Sequence, residues 1–217
     1  MKYLYCKEWK LTVVPVVYVF MSFVLMLLIP GYPYTVSFFY TGLGIFLMLV
    51  TARENKDILY MSTLPVAKKD IVKARYLLVI SIEMIQIILC IPIAILRGTV
   101  LLYDNAAGID ADLAFFGIGF LMFAVYNRMF FSVYFKDVYK VGTAFLYASI
   151  AEFVIIVLTE VSVHVCKAVA GSCFWDSMKA EDQIKQIPIL IVGIIVFVIS
   201  TFWGLKTDIK RFEKLDL

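Results

Sequence analysis

Six long apolar runs dominate this chain and restrict what it can fold into. They cover residues 11–30, 35–52, 76–96, 113–134, 141–165 and 187–205. The hydrocarbon core of a bilayer is roughly 30 Å thick, so a helix needs about 20 mainly apolar residues to cross it. Backbone groups in lipid must be paired within the segment, and the runs lack the alternation of barrel strands. We therefore predict an all-α integral membrane protein with six transmembrane helices, forming one domain over residues 1–217.

The distribution of cations predicts the orientation of this chain. The sequence is 63% hydrophobic, well above the half that is usual for soluble domains. Six spans place both termini on one side, and the segments on that side hold 16 of the 20 Lys and Arg residues. Lys and Arg accumulate in cytoplasmic loops, so we expect both termini in the cytoplasm. The other 4 cations lie on the outside: Arg97, Lys167, Lys179 and Lys185.

The first ten residues mix charges with aromatic side chains. Tyr5 and Trp9 alternate there with Lys7, Glu8 and Lys10. Because Trp and Tyr prefer the headgroup layer, the pattern predicts a short interfacial helix before the first span. A frayed tail with ordinary membrane anchors is the alternative.

A charged island, residues 51–75, separates the second and third apolar runs. It holds six Lys or Arg and three Asp or Glu residues, so it cannot lie in hydrocarbon and its cations favour the cytoplasm. Residues 53–62 are predicted to form a short helix near the membrane surface. Pro65 then breaks the chain, because the residue before a proline avoids helix, and a new helix leads into the third span. Such a structured loop is a candidate binding site for a soluble partner protein.

Two carboxylates fall inside predicted spans. Glu83 lies in the third and Glu152 in the fifth. Ionisable groups in a membrane are costly and usually face the bundle interior or an aqueous cavity. They indicate either a polar spot on a translocation path or subunit interface, or a protonated or paired Glu that only holds helices together.

Catalytic and metal-binding patterns are missing from the sequence. It contains no G-x-x-x-x-G-K-[ST] loop for phosphate, and its single His164 has no partners for a Ser–His pair or a zinc helix. We therefore expect no enzyme activity, no cofactor and no metal in this chain. Cys166 and Cys173 share a predicted outer loop, where oxidising conditions permit a disulfide.

The island resembles the cytoplasmic loop of type-2 ABC transporter permeases. The resemblance lies in ENKDILYMSTLP (residues 54–65) and AKKDIVKARY (residues 67–76), and KEWK (residues 7–10) agrees with it. Within that class the chain looks most similar to the small permease subunits of phenol-soluble-modulin (Pmt-type) exporters. One departure is Ala67, where the family often has Ser, so only Asp70 of the capping box remains.

This resemblance implies a bacterial plasma-membrane permease subunit of an ATP-driven exporter for amphipathic or antimicrobial-type peptides. Two permease chains, identical or not, would pair with two copies of a soluble ATPase that binds ATP and Mg²⁺. Lipid and peptide are the other implied partners, and nucleic acid is not one. The loop helix would be a coupling helix in a groove of the ATPase, and the implied docking residues are Glu54, Lys56, Asp57, Ile58, Tyr60 and Met61.

Two other functions fit six spans. One is a vitamin-capturing membrane subunit, and the other is an assembly protein without a transport role. Vitamin-capturing subunits tend to present small residues on their first span, whereas Val13, Val16, Val17 and Phe20 are bulky here. Co-purification with a soluble ATPase would separate the three functions.

Overall fold

The computed structural model describes residues 1–101, 105–171 and 173–215, and every regular element in these ranges is a helix. Five helices are long and apolar enough to cross a membrane. This confirms the predicted all-α membrane class. The long helices are α3 (Val36–Glu54), α5 (Lys68–Leu96, continued by a π-helical turn, Arg97–Leu101), α6 (Leu113–Tyr134), α7 (Val141–Ala170) and α8 (Ala180–Glu213). The short ones are α1 (Lys2–Lys7, continued by a π-helical turn, Glu8–Thr12), α2 (Pro15–Met21, continued by 3₁₀ turns, Ser22–Leu28) and α4 (Asp57–Thr63).

The first predicted span is not one straight helix. The segments Lys2–Thr12 and Pro15–Leu28 meet at a bend of 84°, so the described residues contain five candidate spans, or six if the bent pair counts as one. The break lies at Val13 and Val14, which are both extended. Pro15 causes it, because its ring disfavours helix at the residue before it. The amino-terminal helix itself is present, as predicted, and lies across the direction of α2.

The other spans are found where hydropathy predicts them. Leu113–Tyr134 agrees with the prediction at both ends, whereas α5, α7 and α8 run past the predicted apolar segments. The apolar run marks the part of a helix that lies in hydrocarbon, but backbone hydrogen bonding continues into the polar layers.

Helix α6 lies between α7 and α8 and packs most closely against α8. The two helices run parallel, and their backbones approach at two glycines. A Cβ on Gly193 would lie 2.2 Å from the carbonyl oxygen of Gly117, and a Cβ on Gly117 would lie 2.7 Å from that of Ile189. Small residues let membrane helices approach in this way.

The end of the bundle opposite the termini, called the outer end after its predicted side of the membrane, is closed by a buried polar network. The guanidinium of Arg97 lies 3.0 Å from Asp110 and 4.7 Å from the ring centre of Tyr34. Gln186 is fully buried, where it accepts a hydrogen bond from the Ala114 amide and donates one to Asp112. This network ties residues 105–112 and 173–179, together called the outer cap, onto α5 and α8.

Candidate coupling site

The charged island contains the end of α3, the whole of α4 and the start of α5, joined by tight turns. Lys56 takes the left-handed backbone conformation (φ 53°), which residues other than glycine seldom adopt, and α4 starts directly after it. Arg53 and Glu54 therefore belong to α3, so the predicted single helix over residues 53–62 is wrong at its start. At the other end, Leu64 is extended before Pro65, as predicted.

Helix α5 starts with a weak cap. Its N-cap residue is Ala67, which offers no side-chain hydrogen bond, and Asp70 lies in the first turn. A carboxylate near a helix N-terminus is favourable because it complements the positive end of the helix dipole. The sequence predicted this arrangement from the missing Ser.

The six residues implied for docking lie on α4 or just before it, and they divide into a buried group and an exposed group. Ile58 and Met61 are only 6% and 2% exposed and pack in the chain's own core. Glu54, Lys56 and Tyr60 are exposed, Tyr60 by 62%. Asp57 lies between the two faces. Docking to a partner stays a prediction for all six, but Ile58 and Met61 already have apolar neighbours within this chain.

Beneath α4 lies a buried ion network that the sequence did not predict. The Nε of Arg75, on α5, is 3.1 Å from Oε2 of Glu8, and the exposed fraction of each side chain is 1%. Arg75 also pairs with Asp57, and Lys7 pairs with both Asp57 and Glu8. Thr12 completes the environment by donating to Glu8 at 3.1 Å.

The electrostatics of the network favour a charged Asp57. Burial raises the pKa of Asp57, but the guanidinium of Arg75 and the ammonium of Lys7 outweigh it, so this pKa lies below the ordinary 3.8. Two cations and two carboxylates thus balance each other in a place with little water. A buried charge left without its partner would be costly, and this makes the arrangement geometrically restrictive.

The network connects three segments that are distant in the sequence. Asp57 lies at the start of α4, Arg75 is in the second turn of α5, and Lys7 and Glu8 are where the amino-terminal helix changes to a π-helical turn. Tyr5 adds a second contact between that helix and α5, with 2.7 Å between its hydroxyl and that of Ser81. A displacement of α4 would therefore act on α5 and the amino-terminal segment together.

One sequence signal could have suggested this network. Glu8 is the only carboxylate in the first ten residues, beside three lysines. A single carboxylate directly before an apolar run is expected to pair with a cation from a distant part of the sequence. The sequence nevertheless does not show which of the island's six cations that would be.

Glu83 and Glu152 both lie inside the bundle, with no exposed surface in this chain. The Nδ2 of Asn127 donates to Glu83 at 2.9 Å. Within the described ranges, neither carboxylate oxygen of Glu152 has a hydrogen-bond partner, and its Oε2 lies beside the backbone of Gly42. The structure brings both residues to the interior that the sequence predicted, and their role in translocation stays a prediction.

The two cysteines of the outer loop are close together. Cys173 is a buried thiol whose pKa is raised to about 12 by burial and by a hydrogen bond to Cys166. The structure thus holds the pair as hydrogen-bonded thiols and not as a disulfide. The bridge itself stays a prediction.

An apolar cavity of about 670 Å³ opens in the outer half of the bundle. Its walls come from α5, α6 and α8, and its few polar groups, among them Asp112 and Gln183, lie at its outer end. The apolar lining includes Ile87, Ile91, Phe116, Phe120 and Ile194. A cavity of this composition suits an apolar group better than a charged one.

A comparison with protein families agrees with this architecture. Residues 3–207, nearly the whole chain, match the family described as ABC-2 family transporter protein. No curated protein and no solved structure matches the chain. Members of this family are transmembrane permeases that generally dimerise and partner with an ABC ATPase subunit. The chain therefore belongs to the ABC-2 transporter family and is a membrane-spanning permease of an ABC transporter.

Proposed function

We propose that this permease is the membrane subunit of an ATP-driven exporter and that α4 is its coupling helix. The observation that supports this most is the division of α4 into two faces. One face is fixed to the permease by core packing and by the buried ion network. The other is exposed on the side where the cations of the chain accumulate.

The proposed docking surface is the exposed face around α4: Glu54, Lys56, Leu59, Tyr60, Thr63 and Leu64. It combines a large aromatic side chain and two leucines with one charge of each sign. Protein interfaces are enriched in exposed tyrosines that become anchors once a partner covers them. This surface keeps Glu54, Lys56 and Tyr60 from the set that the resemblance implies, and it has Leu59, Thr63 and Leu64 where that set has Asp57, Ile58 and Met61.

Transmission would proceed through Asp57. Two ATPase subunits that close on ATP and Mg²⁺ would push on α4 in each of two permease chains, whether identical or different. Because Asp57 is paired with Arg75 and Lys7, α5 and the amino-terminal helix would follow α4. ATP would then shift an equilibrium between two arrangements of the helices through its different contacts in each.

The proposed cargo is an amphipathic, membrane-active peptide moved out of the cell. The resemblance to permeases of phenol-soluble-modulin exporters supports the cargo and the direction. The apolar cavity between α5, α6 and α8 is compatible with an apolar peptide face, because its lining is mainly apolar and includes four Ile and two Phe residues. The plasma membrane of a bacterium is the corresponding location.

Reconstitution with the partner ABC ATPase subunit tests this proposal. We expect Tyr60→Asp to abolish co-purification of the ATPase and to lower permease-stimulated ATP hydrolysis at least tenfold, while insertion and yield stay unchanged. Tyr3→Asp is the matched control, because Tyr3 is the same residue type and is also exposed, but lies off α4. Full stimulation by the Tyr60 variant would refute docking on α4. A chain that captures a vitamin, or that never co-purifies with an ATPase, would support the alternative functions instead.

A further inference from the structure

A second cationic site lies where α6 and α8 approach the side of the termini. The guanidinium carbon of Arg128 stands 4.7 Å from the centre of the Trp203 ring. Stacking of this kind is attractive because the positive charge lies over the negative face of the ring. The contact belongs to neither α4 nor the ion network beneath it.

The depth of this pair in the membrane can be read from both helices. Arg128 is six residues before the end of α6, which is roughly 9 Å of helix. Trp203 is near the end of the apolar run of α8, and its side chain is 63% exposed. Tryptophan gathers at the boundary between hydrocarbon and headgroups. The exposed surface of this pair therefore faces lipid at the level of the phosphates and the upper acyl chains.

The guanidinium has hydrogen-bonding capacity to spare. The side chain of Arg128 is half-buried, and no group in the described part of the chain accepts a hydrogen bond from it; its Nη1 lies inside the protein, so its other N–H groups are those that can meet a ligand. The nearby carboxylate of Asp208 is occupied, since it accepts from the Tyr76 hydroxyl at 2.6 Å and from Arg211 at 2.7 Å. Arginine has a planar fork of N–H groups that matches the oxygens of a phosphate.

Further positive charge lies on the same face of α8. Lys206 and Lys210 are three and seven residues after Trp203, which places them on its side of the helix, and both are exposed. Together with Arg128 and Arg211 they make four cations, against two carboxylates, the buried Asp208 and the exposed Glu213. The surface therefore has an excess of positive charge beside lipid.

We propose that Arg128, Trp203 and Lys206 bind the phosphate of an anionic phospholipid in the leaflet on the side of the termini. The stacked guanidinium contacts the phosphate from within the membrane, and Lys206 contacts it from the aqueous side. Trp203 holds the guanidinium in place and packs against the upper acyl chains. A lipid suits this site better than a soluble phosphate compound because the guanidinium lies below the headgroup surface.

Native mass spectrometry of the detergent-solubilised chain, titrated with phosphatidylglycerol or with phosphatidylcholine of the same acyl chains, tests the proposal. We expect the unmodified chain to bind phosphatidylglycerol clearly more tightly than phosphatidylcholine. Arg128→Gln should weaken phosphatidylglycerol binding about fivefold, which is the effect of about one basic contact to an anionic headgroup. Phosphatidylcholine binding should not change. The matched control is Lys69→Gln, which removes an exposed cation on the same side at the start of α5.

A second variant and a competition experiment complete the test. If Arg128→Gln does not fold, Trp203→Leu keeps every charge but removes the stacking ring, and we expect it to weaken phosphatidylglycerol binding several-fold. Millimolar glycerol phosphate should not displace the lipid. Equal affinity for the two lipids, unchanged affinity in both variants, or displacement by the soluble phosphate would each overturn the assignment. Because ATPase stimulation is measured separately, failure here is distinguishable from failure of docking on α4.

Discussion

The Nε of Arg75 lies 3.1 Å from Oε2 of Glu8, and this buried ion pair joins the amino-terminal helix to α5. Asp57 pairs with the same guanidinium. The first turn of α4 is therefore held by a cation that belongs to the following helix. Core packing of Ile58 and Met61 gives α4 a second attachment.

Replacing Arg75 by Ala should destabilise the protein severely. Two carboxylates would remain in a buried site with only Lys7 to balance them, and breaking a buried pair in this way costs about 3–5 kcal/mol. The midpoint of thermal unfolding in detergent, followed by tryptophan fluorescence, measures the loss. Lys73→Ala is the control, because its pair with Asp70 is largely exposed and such pairs contribute about 0–1 kcal/mol. Equal midpoints for the two variants would contradict a stabilising network.

Ile58→Asp and Tyr60→Asp should fail in different ways, although only one residue separates the two positions. The first buries a carboxylate among apolar side chains and should lower the unfolding midpoint strongly. The second changes an exposed position, so we expect its midpoint to stay within a degree or two of the unmodified protein while ATPase binding is lost. The same loss of stability in both would mean that α4 has no separate docking face.

The contact between α6 and α8 should not tolerate a methyl group. Gly193→Ala would place Cβ against the carbonyl of Gly117, which must move, and overpacking of this kind costs about 1–3 kcal/mol. Gly142→Ala is the matched control, since nothing lies within 4 Å of its Cβ position and alanine suits a helix better. The thermal midpoint should fall for the first and hold or rise for the second. A neutral Gly193 variant would argue against close backbone packing.

The outer cap should weaken as the pH rises. Burial raises the pKa of Asp112 to about 7, against hydrogen bonds from the Phe115 and Ser177 amides that lower it. Since the folded protein holds this proton more tightly than the unfolded chain, the stabilisation is complete near pH 4 and is lost as the pH rises towards 7. We expect the unfolding midpoint to fall over this interval. In Asp112→Asn that slope should be reduced, and an unchanged slope would assign it to other groups.

Cysteine labelling from one side tests the orientation. In a chain with all four native cysteines (Cys6, Cys90, Cys166 and Cys173) replaced by Ser, Thr63→Cys on α4 should react with an impermeant maleimide only after the cells are opened. Lys179→Cys, in the outer cap, should react in intact cells. Both positions are exposed in this structure. The reverse pattern would place α4 outside and remove the basis for ATPase docking.

Hydropathy predicted the long helices because the cost of placing polar groups in lipid is decided locally. For this reason the predicted bounds of the fourth apolar run agree with those of α6, Leu113–Tyr134. The predicted first span, residues 11–30, is interrupted at Val14, because the backbone restriction before Pro15 outweighs a favourable apolar run. Average hydrophobicity does not register a single residue of that kind.

The sites were harder to predict because they depend on contacts between distant segments. The resemblance implies Ile58 and Met61 as docking residues, and the structure adds that both pack in the chain's own core. Gln186 directly precedes the predicted sixth span, and the structure shows it as a fully buried connection between α8 and the outer cap. Neither contact leaves a local pattern in the sequence.

The bend before Pro15 also affects the surrounding bilayer. Helix α2 and its 3₁₀ continuation comprise 7 residues each, which corresponds to a height of roughly 24 Å. Hydrocarbon about 30 Å thick cannot match so short a segment unless it thins beside it. We expect acyl chains on that flank to be compressed and less ordered than elsewhere around the protein, so that an amphipathic molecule meets its lowest barrier to insertion there.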